Sequence, residues 1–420
     1  MNVRNYVVVT SAYWSFTITD GALRMLVLLH FHELGYSPIT LGFLFLLYEF
    51  FGVVTNLVGG WLGSRRGLNL TLYAGLTTQI VALLVLSLQQ DGWPELLSVV
   101  YVMGAQALSG IAKDLTKMSS KSAIKLVVGG ADDAAHQSAL FRWVAVLTGS
   151  KNALKGVGFF VGGALLAGVG FRPALWLMAG VLGVVLVAVV AVLRVDIGRS
   201  AAPQPFRRLF SASTAVNRLS AARLFLFGAR DLWFVVALPI YLDTELGWSF
   251  QGIGAFLAAW VIGYGVVQSM APPILRRARG REVRAARWWA LALGLVAAAI
   301  AVALAVGARP EPVLVMGLIA FGAVFAVNSA LHSYLILAYS TSDEVALDVG
   351  FYYSANAAGR LVGTLLSGVV FLAGGLEAAL WTATAFVAVC WLLTLRLPSI
   401  SSAVPRPEPA TRPADAPTPP

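Results

Sequence analysis

Cysteine is almost absent from this chain. Cys390 is the one residue of its type among 420, so an internal disulfide and a cysteine metal cage are both excluded. It lies inside an apolar run and reads as a small hydrophobe facing lipid or core. Charge is scarce too: 12% of residues are Asp, Glu, Lys or Arg, against 58% hydrophobic ones. A soluble basic domain of the kind that binds nucleic acid is missing, and so is a soluble signalling domain. Nothing resembles a nucleophile triad, a zinc motif or a Walker loop. Gly156-Val-Gly158 with Gly162 and Gly163 lacks the preceding strand of a nucleotide loop and reads as close helix packing. No enzyme is expected and no cofactor is implied. The amino terminus lacks the short apolar stretch and cleavage site of a signal peptide, so the first span reads as retained.

What is present is apolar length. A mean hydropathy of +0.79, carried by long apolar runs, makes this a polytopic helical membrane protein. Cutting at Pro, Gly and charge clusters gives about twelve spans, near 7–31, 41–62, 70–88, 96–119, 140–169, 174–193, 219–242, 252–275, 288–306, 313–339, 345–372 and 378–395. Alternate connections are basic: Arg65 and Arg66, Lys121 and Lys125, Arg194 to Arg208, then the run from Arg276 to Arg287. The positive-inside rule therefore puts both termini in the cytoplasm, and the net charge of +10 is mostly a topology signal. The polar stretch 195–214 divides a six-span bundle over 1–194 from a second over 215–397. The tail 398–420, rich in Pro, Ala and Ser, is expected to be disordered.

The halves repeat one another. Leu34-Gly35-Tyr36-Ser37 with Gly42 returns as Leu246-Gly247-Trp248-Ser249 with Gly254, and Gly158, Gly163, Gly170 and Trp176 return 205 residues on as Gly363, Gly368, Gly375 and Trp381. In that register Lys155 corresponds to Arg360. Parallel six-span halves around a site near the bilayer midplane resemble the major facilitator architecture, an all-α membrane fold. Gly60-Trp-Leu-Gly-Ser-Arg65-Arg66-Gly67 resembles that architecture's signature loop between spans two and three. There, glycines permit a tight turn and basic residues contact the neighbouring bundle. Ser64 stands where an acid is usual, which removes a charge from the expected gate.

Charges inside the spans carry the chemistry. A lone ammonium at the bilayer centre costs about 3 kcal/mol, so several of them require partners, water or a ligand. Lys113, Lys117, Lys121 and Lys125 recur every fourth residue on one helix face. Lys121 and Lys125 read as snorkelling to the interface, whereas Lys113 and Lys117, beside Asp114, read as facing a cavity. Lys151 and Lys155 sit near the middle of the fifth span, with structural pairing to Asp20 or Asp114 as the alternative. Asp20 and Arg24, spaced i, i+4, could satisfy each other. Asp20 is also the proton-coupling candidate, as the deepest acid of span one. Arg230 and Asp231, being adjacent, are expected to point apart and take separate partners. Asn328 and His332 share a face and suit either polar packing or substrate donation. His30 and His32 bracket the outer end of span one without making a convincing metal site. Cations, with Arg24, Arg223, Arg230 and Arg360, outnumber the mid-span acids Asp20, Glu49, Asp114, Asp231 and Asp348. The surplus suits a multiply charged anion, and guanidinium forks suit tetrahedral oxyanions.

Several stretches together resemble one family. They are Tyr13-Trp-Ser-Phe-Thr-Ile-Thr-Asp20-Gly-Ala-Leu-Arg24, the segment from Ser109 to Lys125, Leu147-Thr-Gly-Ser-Lys151-Asn-Ala-Leu-Lys155-Gly, Leu226-Phe-Gly-Ala-Arg230-Asp-Leu-Trp and the segment from Asp348 to Arg360. The family is the ArsJ-type organoarsenical permeases of the major facilitator superfamily. The resemblance implies export across a bacterial inner membrane of 1-arseno-3-phosphoglycerate, the ester formed when glyceraldehyde-3-phosphate dehydrogenase accepts arsenate. The ester falls apart outside, so the pair confers arsenate resistance. An anion with two charged ends matches cations from both halves, with Lys155 and Arg360 as a symmetric clamp. The same cations would serve an importer or antiporter of another organic phosphate or carboxylate.

Overall fold

The computed structural model describes residues 3–36, 38–128, 134–193, 213–248, 250–341 and 344–400. The chain between the bundles and the tail lie almost wholly outside them, as do the side chains of Lys121 and Lys125. Among the described residues the chain is helical throughout: α1 (Val3–Glu33), α2 (Pro38–Phe43), α3 (Leu46–Arg66), α4 (Leu68–Leu86), α5 (Glu95–Val128), α6 (Ala134–Val169), α7 (Phe171–Val192), α8 (Thr214–Phe234), α9 (Ala237–Thr244), α10 (Phe250–Ser269), α11 (Ala271–Ile274), α12 (Glu282–Ala305), α13 (Pro310–Tyr339) and α14 (Val345–Leu395).

These make twelve bilayer crossings. The helix α14 is two of them, broken at Gly374 and Gly375, where φ of +67° at Gly375 requires glycine. The seventh crossing bends at Val235 between α8 and α9, and the eighth ends in α11, a turn opened by Pro272 and Pro273. Eight helices are long and apolar enough to cross a membrane by composition alone. Helix α1 is not among them, because Asp20 and Arg24 dilute its hydropathy, whereas α3 is apolar over the shorter stretch Leu46–Gly59 despite Glu49. The outer surface is apolar, with Val184 and Leu372 at 72% and 88% exposure, as a lipid-facing wall should be.

The internal repeat has a physical basis. Gly35 and Gly247 both end a crossing with positive φ, 85° and 65°. Gly158 packs against the backbone of Ile18 and Gly21 on α1, and its repeat partner Gly363 packs against Gly228 on α8. A Cβ at Gly363 would stand 2.5 Å from the Gly228 carbonyl oxygen, so glycine is what lets the fifth and eleventh crossings touch the first and seventh.

Between the bundles, α3 packs on α14 and α6 on α10. The two bundles also meet at the end carrying Arg65 and the Arg276 to Arg287 run. There Phe141 meets Tyr334 at 4.8 Å between ring centroids. One hydrophobic core merges Leu140, Val144 and Ala145 of the first bundle with Leu331, Leu335 and Val349 of the second. A separate core fills the second bundle around Trp233, Trp260 and Phe321, and Cys390 lies buried in it. Gly149 and Gly265 let α6 and α10 touch backbone to backbone: a Cβ at Gly149 would stand 2.5 Å from the Gly265 carbonyl oxygen.

Candidate functional site

Charges that the sequence scatters over six crossings come together in one layer between the bundles. On α1, Asp20 accepts a hydrogen bond from Tyr48 at 2.5 Å and from Lys155 of α6 at 3.0 Å. On α3, Glu49 accepts from Arg360 of α14 at 2.6 Å and lies 3.6 Å from both Arg24 and Lys113. On α5, Asp114 takes Lys117 directly and Lys113 at 3.5 Å. On α8, Asp231 takes Arg230 at 2.5 Å through one oxygen and Arg360 Nε at 3.1 Å through the other. Arg360 therefore bridges the bundles, holding an acid of its own half and one of the other.

Aromatic faces support the cations. Lys113 lies 3.8 Å from the centroid of Tyr48, Lys117 lies 4.6 Å from Tyr353 across the bundle interface, and Arg24 lies 4.9 Å from Phe45. Eight cationic side chains, counting Lys151 and Arg223, meet four carboxylates among the described residues of this layer. Each acid already holds a cation, and the layer stays positive.

A cavity opens into it. Asp20, Glu49, Lys113, Asp114, Lys117 and Lys151 line it from the first bundle, and Arg223, Arg230, Tyr264, Tyr353, Asn356 and Arg360 from the second. Its volume of about 90 Å³ has room for several waters.

Sequence-based expectations fare unevenly against this geometry. Lys113, Lys117, Lys151, Arg230 and Arg360 line the cavity, and Asp20 lines it too. Lys155 and Arg24 are not among the lining residues: each sits behind the acid it pairs with. Asp20 and Arg24 do not satisfy each other, because Lys155 and Glu49 lie nearer along the facing helices. Arg230 and Asp231 do not point apart. The long guanidinium stem curls back onto the neighbouring carboxylate, whose second oxygen remains for Arg360. Asn328 and His332 are fully buried within the second bundle, and Asn328 donates to the Trp289 carbonyl at 2.6 Å. Neither is among the residues that line the cavity. Asp348 falls in the first turn of α14 and is no mid-span acid. His30 stacks on Phe171 at 3.9 Å and lies 3.3 Å from Asp91.

In the loop resembling the signature, Gly67 with φ of 90° is the sole residue between α3 and α4. Arg65 stacks on Trp61 of its own helix at 5.4 Å. Gly60 and Arg66 belong to α3, and their surroundings fall outside the described residues. Sequence reasoning counted Glu49 and Arg223 only as charges and passed over Tyr13, Tyr48 and Asn356. An acid in the middle of an apolar span was the available signal for Glu49.

Two six-crossing bundles, repeated in parallel and enclosing a polar cavity at their interface, decide the architecture. This chain has the major facilitator fold. The family model described as Major Facilitator Superfamily matches residues 219–419. Among solved structures, the human organic anion transporter MFSD10 (TETRAN) is similar with a TM-score of 0.73 at 17% identity, covering 93% of this chain and 99% of that one. A bacterial homologue of the iron transporter ferroportin, in its outward-facing state, gives 0.74 at 13% identity, covering 95% and 99%. The proton:xylose symporter XylE bound to 6-bromo-6-deoxy-D-glucose gives 0.70 at 12% identity, covering 95% and 98%. No curated protein sequence matches the chain. At these identities the likeness is one of fold.

Proposed function

We propose that this protein is a membrane transporter that moves an organic anion by alternating access, with the layer of paired charges between its bundles as the binding site. The observation that carries this reading is the cavity itself, lined by cations from both halves whose charge exceeds that of the acids around them. An anion entering it competes with Glu49 and Asp231 for guanidinium and ammonium donors, so binding rearranges contacts that tie one bundle to the other. That is the requirement for coupling occupancy to conformation. The organic anion transporter among the structures of similar fold adds a precedent for the cargo class in this architecture.

The motifs around Asp20, Lys113, Lys151, Arg230 and Arg360 favour a particular cargo, 1-arseno-3-phosphoglycerate, carried outward across a bacterial inner membrane with both termini in the cytoplasm. Phosphate at one end and arsenate at the other suit a site with cations on two sides. A glyceraldehyde-3-phosphate dehydrogenase would supply the ester. Expression in an arsenate-sensitive host should then lower cellular arsenic and restore growth only when that dehydrogenase is present. Equal protection with and without it would mean that arsenate itself, or another organic phosphate or carboxylate, is the cargo.

Asp20 is the proposed proton carrier. It lines the cavity while bonded to Lys155 and Tyr48, so a proton reaching it from the cavity would release Lys155 from its acid. Asp20→Asn should abolish pH-driven transport in proteoliposomes while sparing exchange of substrate for substrate. Retained pH-driven uptake in that variant would remove Asp20 from coupling.

A further inference from the structure

One buried cation of the layer has no acid. Arg223 of α8 is 3% exposed and lines the cavity, yet no carboxylate lies within ion-pair distance of it among the described residues. Its Nε donates to the Asn356 side-chain oxygen at 2.9 Å and its Nη1 to the Ser329 carbonyl at 3.3 Å. A guanidinium carries five N–H donors, so most of its capacity has no protein acceptor among the described residues. The flat face rests 3.9 Å from the centroid of Phe227, which also carries Arg230 at 4.9 Å. Residues 223, 227 and 230 recur at i, i+4 and i+7, so these two guanidiniums flank one ring on the same face of α8.

Arg360 offers a contrast. Two carboxylates already occupy it, through Glu49 and Asp231. A cation held by two acids is a poor first choice for an incoming oxyanion, and a buried guanidinium held only by neutral oxygens is a strong one. Asn356 completes the arrangement. Its oxygen is committed to Arg223, which fixes the amide orientation and leaves the NH2 group as a further donor.

We propose that Arg223 and Asn356, in place of the clamp between Lys155 and Arg360, hold one oxyanion end of the transported molecule. This rests on the anion-transport reading and assigns its recognition residues in the second bundle. A carboxylate, phosphate or arsenate end would each accept from the fork; shape and length beyond that end are read by the first bundle.

The test uses the full chain in nanodiscs and radiolabelled 3-phosphoglycerate as probe. Arg223→Gln should weaken binding at least thirtyfold, and Arg223→Lys should fall between it and the parent because it keeps charge and loses the fork. The decisive variant is Asn356→Asp. It supplies the missing carboxylate to Arg223, so it should hold or raise the thermal midpoint while cutting binding at least tenfold. A merely structural Arg223 predicts a stabler protein with unchanged binding, and that result would overturn the assignment. Binding within twofold of the parent in both Arg223 variants would do the same while leaving the transport reading intact. A parent protein that binds neither 3-phosphoglycerate nor inorganic phosphate would sink both.

Discussion

Glu49→Gln should destabilise the protein by about 3 to 5 kcal/mol, the scale for removing one partner from a buried ion pair and leaving the other charges uncompensated. Three cations lean on this carboxylate: Arg360 at 2.6 Å, and Arg24 and Lys113 at 3.6 Å. Glutamine keeps the size and one acceptor but removes the charge. Of the three, Lys113 retains Asp114 and Arg360 retains Asp231, while Arg24 loses its acid. The thermal midpoint should drop sharply, and 3-phosphoglycerate should raise it by more in the variant than in the parent, because the bound anion replaces the missing charge. A ligand at a hundred times its dissociation constant contributes about 2.7 kcal/mol, enough to recover much of the loss. A variant as stable as the parent, with no added response to anion, would show that water in the cavity already compensates these cations.

Gly149→Val should produce the largest conformational effect. The added side chain has no room against Gly265 and Ser269 of α10 while the bundles are closed at the basic-loop end, and backbone cannot yield as a flexible side chain can. Separating the two helices at that end relieves the overlap completely. Shifting a two-state equilibrium from 1:99 to 99:1 takes about 5.5 kcal/mol, which overlap with rigid backbone can supply. The chain is well suited to reading this out, since its one native thiol, Cys390, is fully buried. In a Phe141→Cys background, where the new thiol replaces the ring that touches Tyr334, Gly149→Val should speed maleimide labelling at least tenfold. Unchanged labelling, in protein that still folds, would mean that the bundles do not part along the interface between α6 and α10.

The fold was legible because its determinants are local. Apolar length sets the crossings, and the glycines paired by the repeat have local roles: Gly158 and Gly363 permit close helix contact, while Gly35 and Gly247 end crossings with positive φ. The first crossing carries the weakest apolar signal for a functional reason, since Asp20 and Arg24, which dilute its hydropathy, both pair with charges of the site. At the site, the residue types were readable but their partners were not. Spacing along one helix suggested that Asp20 would satisfy Arg24, whereas packing brought Lys155 from α6 and Tyr48 from α3 closer. Arg360 shows the limit most clearly. Its position in the repeat implied symmetry with Lys155, and each does pair with an acid on the first crossing of its own half, Asp231 and Asp20. Only three-dimensional packing shows that Arg360 also reaches across to Glu49, and that Arg223, which looks like any other buried cation in sequence, has no acid within ion-pair distance among the described residues.

The most direct measurement of the central claim is uptake into everted membrane vesicles containing this protein. The vesicles receive radiolabelled arsenate with glyceraldehyde-3-phosphate, NAD and the dehydrogenase, or the same mixture with the dehydrogenase omitted. Accumulation of label only in the complete mixture, lost in the Arg223→Gln protein at equal membrane abundance, is the result expected of an exporter whose cavity recognises a doubly anionic ester. Accumulation no different from that of vesicles lacking the protein would contradict it.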